Sequence, residues 1–157
     1  MNNRLKEKIE KVRLELQNES FAIIIGKLNE GINCSENIAL NSYYKFLNVC
    51  NGGRCGAIDL WSDELLFSNQ YRVVELVGGE EKWLCIGQIL YEPLVMELNT
   101  EEVYLFYQGC ENEIEGKCFG KLDDFLEDYV FGRKYAKIIP NADEDKWYIF
   151  LEKIKVV

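Results

Sequence analysis

The 157-residue sequence contains no histidine, only two prolines and no apolar run long enough to cross a membrane. Without histidine, the chain lacks Ser-His-Asp and Cys-His nucleophile systems, the H-E-x-x-H zinc motif and the usual acid–base side chain near neutral pH. Basic side chains are also in deficit, with 18 Lys and Arg against 27 Asp and Glu and a net charge of −9. Because nucleic-acid binding needs a basic face, we expect no nucleic-acid partner. We also expect no membrane partner, since no apolar run is long enough to cross a bilayer.

The N-terminal residues are charged, and no apolar segment of signal-peptide type follows them. We therefore expect a cytoplasmic protein in which the six cysteines are reduced. The sequence has no C-x-x-C, and its closest cysteine pairs are Cys50/Cys55 and Cys110/Cys118, a spacing that does not favour a zinc site. We predict no metal and no cofactor, and interpret the cysteines as buried or half-buried free thiols.

The apolar content, at 48%, is ample for a hydrophobic core, and the periodicity of the first third is helical. A helix is predicted over 4–18, with its inner stripe formed by Leu5, Ile9, Val12 and Leu16. A second helix is predicted from about 36 to 50, with Ser35 as its N-cap and Asn51-Gly52-Gly53 as its end. A short strand over 56–60 and a short helix from Ser62 to about Phe67 should follow.

The middle of the chain is rich in β-prone residues. Four short runs, at 72–77, 83–87, 94–98 and 103–107, are separated by turn signals. Connections this short favour antiparallel pairing, although 72–77 is also compatible with an irregular or helical segment.

The last third should return to helices. An acidic loop over 109–120 precedes a predicted long helix at 122–130, and a final helix should begin near Asp143, with a strand as the alternative. The chain therefore predicts a single α+β domain, with N-terminal helices at about 4–50, strands at 55–107 and C-terminal helices at about 121–155. Its central antiparallel sheet should hold about four to six strands, flanked by those helices.

The acidic surplus is local. Residues 92–128 contain eleven acidic side chains and two lysines, a net charge of −9. Such a field would speed the encounter with a basic protein, and the alternative is a solvated face that keeps the domain soluble. If it binds a partner, the contact residues expected are Glu101, Glu102, Glu111, Glu113, Glu115, Asp124 and Asp128. Exposed aromatics such as Tyr104 or Tyr107 would serve as anchors.

A set of short motifs resembles the SUKH superfamily, which includes the Smi/Knr-type cell-wall-assembly regulators. The motifs begin with Tyr43-Tyr44-Lys45-Phe46-Leu47, Asn51-Gly52-Gly53, Gly56-Ala57-Ile58-Asp59-Leu60 and Ser62-Asp63-Glu64-Leu65-Leu66. They continue with Trp83-Leu84-Cys85-Ile86-Gly87 and Leu122-Asp123-Asp124-Phe125-Leu126. Their order and spacing, over roughly 35–130, carry the resemblance.

The resemblance implies an α+β domain without catalysis. Bacterial members are mostly interpreted as immunity proteins that neutralise polymorphic or contact-dependent toxins, often nucleases. Eukaryotic relatives act as regulatory modules. The matching residues are then structural rather than catalytic: Tyr43, Phe46, Leu47, Asn51, Gly52, Gly53, Trp83 and Gly87. The expected partner is a basic toxin such as a nuclease. A regulatory scaffold and a histidine-free carboxylate hydrolase are the alternatives.

Overall fold

A single antiparallel sheet organises the domain. The computed structural model describes residues 1–33, 41–107 and 116–157, and these residues form seven strands that pair in chain order. The strands are β1 Gly26–Leu28, β2 Gly53–Cys55, β3 Ile58–Leu60, β4 Trp83–Ile89, β5 Glu92–Glu97, β6 Glu102–Leu105 and β7 Lys117–Lys121. The α+β class and the antiparallel sheet are confirmed, whereas the predicted four to six strands were too few.

The strands missing from the prediction are short and poor in β-forming residues. β1 lies in the part predicted to hold only helices, β2 in the predicted turn, and β7 in the predicted acidic loop. β1 and β2 nevertheless pair in register from Gly26 opposite Cys55 to Leu28 opposite Gly53. Three-residue strands containing glycine and a charged side chain have almost no local propensity, so they form only because a neighbouring strand is present.

The helices cover the sheet and its ends. They are α1 Asn3–Gln17, α2 Ala22–Ile25, α3 Ser42–Leu47, α4 Asp63–Ser68, α5 Gly79–Lys82, α6 Leu122–Phe125 and α7 Lys146–Lys153. Short 3₁₀ turns span Gln70–Val73 and Arg133–Lys137, and a π-helical turn, Leu126–Val130, continues α6. In the part of the chain that the structure describes, no helix has the length and apolar character to span a bilayer.

The first helix matches its prediction closely. Leu5, Ile9, Val12 and Leu16 are all buried on α1, as the spacing of four, three and four requires. Arg13, on the same helix, is also buried, and its guanidinium donates to the backbone carbonyls of Val49 (2.6 Å) and Asn29 (3.1 Å). The helix is thus attached to two neighbouring loops by a charged side chain as well as by its apolar stripe.

Three other elements differ from their predictions. The second helix begins at Ser42 with Asn41 as its N-cap, so Ser35, which lies outside the described residues, does not cap it. Residues 72–77 follow the irregular or helical alternative instead of the strand, because the side-chain amide of Gln70 bonds the backbone of Cys85 in β4 in both directions and holds the 3₁₀ turn Gln70–Val73 against that strand. The final helix begins at Lys146, where the Asp145 carboxylate accepts from the first free backbone N–H groups.

Candidate functional site

The Asn-Gly-Gly motif leads from α3 into β2, and its asparagine contacts the start of α4. The side chain of Asn51 donates to the Asp63 carboxylate at 2.7 Å and accepts from the Asp63 backbone N–H at 2.9 Å. The backbone carbonyl oxygen of Asn51 accepts from the side-chain amide of Asn29 at 2.8 Å. Asn51 therefore holds three chain segments together through its side chain and backbone.

The motif glycines lie where the backbone leaves no room for a side chain. Gly52 has a φ of +69°, and a Cβ there would lie 2.5 Å from the Ser62 nitrogen. A Cβ on Gly87 would lie 2.1 Å from the Asp59 carbonyl oxygen on the neighbouring strand, and one on Gly53 would lie 2.2 Å from the Lys27 carbonyl oxygen. Each position therefore contributes to the close packing of strands and turns.

The aromatic motif residues are buried in the core. The hydroxyl of Tyr43 lies 2.6 Å from the Trp61 carbonyl oxygen and 2.8 Å from that of Ile86, and burial raises the Tyr43 pKa well above its usual value. Phe46 and Leu47, on the same helix, are fully buried. Trp83 is buried at the start of β4, and its indole N–H donates to the Val77 carbonyl at 3.0 Å.

Glu101, one of the predicted partner contacts, caps a helix. Its carboxylate accepts from the backbone N–H of Ser42 at 2.9 Å, at the start of α3. Its backbone has a φ of +55°, an uncommon conformation for a residue with a Cβ. Asn41 caps the same helix end, its side-chain oxygen accepting from the backbone N–H groups of Tyr43 and Tyr44.

Glu102 and the lysine opposite it lie on neighbouring strands. The Glu102 carboxylate accepts from the Tyr104 hydroxyl at 3.0 Å, and Glu102 is directly opposite Lys121 in the β6–β7 register. The Lys121 ammonium donates to the Thr100 carbonyl oxygen. Since Lys121 immediately precedes α6, the pairing brings the Glu101–Glu102 turn next to the helix that carries Asp124.

Asp124 and Asp128 lie at successive turns of the same helical segment. Asp124 is exposed on α6. Asp128 is half-buried in the π-helical turn and pairs with Lys134 at 2.6 Å, a hydrogen bond that raises the Lys134 pKa. The remaining predicted contacts, Glu111, Glu113 and Glu115, lie outside the described residues.

Two other carboxylates of this helical segment contact N-terminal residues, which the sequence analysis did not predict. Asp123 accepts from the backbone N–H of Asn2 at 2.9 Å and lies 3.6 Å from the N-terminal ammonium. Glu127 pairs with the Arg4 guanidinium at 3.0 Å. These contacts span more than a hundred residues of sequence, so no local pattern could have indicated them.

The proposed anchors differ in exposure. Tyr107 is half exposed, whereas Tyr104 is partly buried and packs edge-on against Trp83, with ring centroids 5.5 Å apart. Within residues 1–33, 41–107 and 116–157, no group of three His, Cys, Asp or Glu side chains is arranged to hold a metal. Among the described thiols, Cys50, Cys55 and Cys85 are buried with raised pKa values, and Cys118 is exposed.

One cavity brings carboxylates together. It has a volume of about 370 Å³, and its wall includes Arg54, Glu144, Asp145 and Trp147. The Asp145 carboxylate accepts from the Trp147 and Tyr148 backbone N–H groups at 2.8 and 3.2 Å. It is therefore occupied as a helix cap, which limits its use as a second catalytic carboxylate.

No protein-family model matches this chain, and no curated protein is significantly similar to it.

Proposed function

We propose that this chain is a non-catalytic, cytoplasmic protein-binding domain of SUKH type that acts as an immunity protein against a bacterial toxin. Its partner is a basic protein such as a nuclease, contacted through the acidic segment 92–128. The toxin is neutralised by steric occlusion of its active site.

The observation that carries the proposal is the local charge. Residues 92–128 have a net charge of −9, and their described carboxylates include an exposed one at Asp124. Three others, Asp123, Glu127 and Asp128, pair with the N-terminal ammonium, Arg4 and Lys134, which offset part of the negative charge near α6. A negative surface of this kind attracts basic proteins and repels nucleic acids and acidic proteins.

The packing of the motif residues supports a role without catalysis. Tyr43, Asn51 and Gly87 are engaged in hydrogen bonds or backbone contacts within the fold. A histidine-free hydrolase would need two free carboxylates converging in a cavity, and Asp145 in the acidic cavity is engaged as a helix cap. A regulatory scaffold remains the second candidate, because it would use the same kind of acidic surface.

Co-expression tests the proposal directly. The proteins encoded by the genes adjacent to that of this chain are expressed one at a time in a sensitive host, with and without the chain, to identify one that is toxic. Restored growth and a stable, stoichiometric complex are expected. Full toxicity in the presence of the soluble chain would contradict the immunity role, and a co-purifying cell-wall or signalling assembly would favour the scaffold.

A further inference from the structure

A second surface, outside the acidic segment, exposes large apolar side chains. Phe67 is 72% exposed, Tyr71 69% and Tyr91 82%. With Val74 and Leu90, also exposed, they form what we call the apolar patch. Soluble domains rarely expose so many large apolar side chains in one place, and such patches mark protein interaction sites.

The patch is held together by contacts beneath it. Phe67 lies on α4, Tyr71 lies in the 3₁₀ turn Gln70–Val73, and Val74 directly follows that turn. Between them, Arg72 turns toward the sheet, where its guanidinium donates to the Gln88 side chain at 3.0 Å and to the Tyr91 carbonyl oxygen. Arg72 thus attaches the helical side of the patch to the β4–β5 turn.

The β4–β5 turn has an unfavourable sequence for its shape. Leu90 and Tyr91 form a two-residue turn between the paired residues Ile89 and Glu92, with φ values of +50° and +74°. Two-residue turns with positive φ at both positions strongly prefer Asn-Gly. Here two bulky apolar residues are strained and also exposed, and Leu90 leaves 47% of its surface in solvent. Strain of this kind at an exposed position is typical of functional sites.

The charges beside the patch are negative. Residues 61–91 hold five acidic and two basic side chains, and Glu64, Glu75, Glu80 and Glu81 are all exposed. Arg72, which donates to Gln88, and Lys82, whose ammonium lies 4.7 Å from the centroid of the Trp83 ring, keep their positive charges, so residues 61–91 have a net charge of −3. The patch is therefore an apolar surface beside carboxylates.

We infer that the apolar patch docks a basic protein, with Tyr91 and Phe67 as its anchors and the neighbouring carboxylates facing lysines and arginines of the partner. The inference rests on the proposed function and places the apolar contact on a surface distinct from residues 92–128. A second copy of the chain would bring the same carboxylates face to face, which disfavours self-association through this surface.

Site-specific crosslinking tests the location. The photoreactive residue p-benzoylphenylalanine replaces Tyr91, Asp124 or Phe21 in the full chain, expressed in its native host. Phe21 is the matched control, because it is 71% exposed and precedes α2, which packs against α1 and α7. Position 91 is expected to crosslink a protein rich in lysine and arginine, and position 21 is not.

The crosslinked protein is then purified and its affinity for the chain is measured. Tyr91→Ala and Phe67→Ala should each weaken binding by about tenfold or more, the loss typical of an interface anchor, and Phe21→Ala should leave it unchanged. Crosslinking at 124 but not at 91 would overturn the inference and leave the proposed function supported. Crosslinking to a second copy at 91 would overturn the inference, and no protein crosslinked at either 91 or 124 would overturn both.

A stability measurement separates loss of the anchor from loss of the fold. The double variant Leu90→Asn/Tyr91→Gly keeps the backbone carbonyl that Arg72 bonds and supplies the preferred turn sequence. Its midpoint of thermal unfolding should rise by about 3 °C while partner affinity falls. A lowered midpoint would show that the native turn is not strained, and retained affinity would show that the turn is not a contact; either result would overturn the inference.

Discussion

Asn51 and Asp63 bind each other reciprocally, the Asn51 amide donating to the Asp63 carboxylate at 2.7 Å and the Asp63 N–H donating back at 2.9 Å. Asp63 is also the first residue of α4, so the pair connects the end of one helix to the first turn of the next. The negative charge of Asp63 at this N-terminus is favourable in its own right.

Replacing Asn51 with alanine should lower the free energy of unfolding by about 2 kcal/mol, since two partly buried hydrogen bonds are lost. Urea denaturation measures the change. Asp63→Asn is the matched control, because an asparagine can still accept from the Asn51 amide and should cost less than about 1 kcal/mol. Equal stability of Asn51→Ala and the native chain would refute the structural role of the pair.

Glu101 is a predicted partner contact that also caps α3, and its structural role can be measured by itself. Glu101→Ala removes the acceptor for the Ser42 N–H and should destabilise the domain by about 1 kcal/mol, the usual cost of a lost helix cap. Glu101→Gln keeps an acceptor oxygen without the charge, so most of the stability should be retained. Urea denaturation compares the two variants, and equal losses in both would indicate that charge, rather than the hydrogen bond, is what the helix requires.

Local sequence patterns were sufficient to predict the first helix and three of the strands. The buried stripe of α1 was predicted from its helical period, and β4, β5 and β6 were predicted from runs of β-forming residues. The strands β1, β2 and β7 could not be predicted from local patterns, because they contain glycine and lysine or arginine and form only by pairing with neighbouring strands. Likewise, residues 72–77 have β-forming side chains, and tertiary contacts from Gln70 and Arg72 impose the helical turn.

The candidate sites were also only partly predictable from the sequence. Composition alone locates the acidic surplus in residues 92–128. That Glu101 caps a helix 59 residues away depends on the fold. The apolar patch was equally hidden, because Val74 lies in the run 72–77 and the sequence does not show that Val74, Leu90 and Tyr91 are exposed.

Two glycines provide a matched pair for testing close packing. Gly87→Ala should destabilise the domain by about 3 kcal/mol or prevent folding, because its Cβ would meet the Asp59 carbonyl oxygen at 2.1 Å. Gly79→Ala faces only the Val74 carbonyl at 3.7 Å, with a φ of +49°, so its cost should be limited to about 1 kcal/mol of backbone strain. Thermal unfolding of both variants measures the difference, and a larger loss for Gly79→Ala would contradict the β3–β4 packing.

Buried thiols should make stability depend on alkaline pH. Burial raises the pKa of Cys50 from 9.0 to about 11, an effect that the nearby Arg13 partly offsets. Because the unfolded thiol ionises first, the contribution of Cys50 is complete below pH 9 and is lost as the pH rises toward 11. Urea denaturation under reducing conditions should show this decline. In Cys50→Ala, the free energy of unfolding should depend less on pH between 9 and 11. This variant should also be less stable than the native chain at every pH, because the substitution leaves a cavity.

The acidic surface is best tested at Asp124, since its side chain is exposed and its reversal should disturb the fold least. Asp124→Lys should slow association with a purified basic partner by about twofold to tenfold at low salt, because the attractive field near α6 is reduced. The effect should fade as the ionic strength rises, and the dissociation rate should change little. Asp128→Lys adds the loss of the Lys134 pair, so its stability must be measured alongside. Glu7→Lys, an exposed reversal on α1, is the control for net charge. If Glu7→Lys slows association as much as Asp124→Lys does, the partner responds to the overall charge of the domain and the acidic segment has no special place in the encounter.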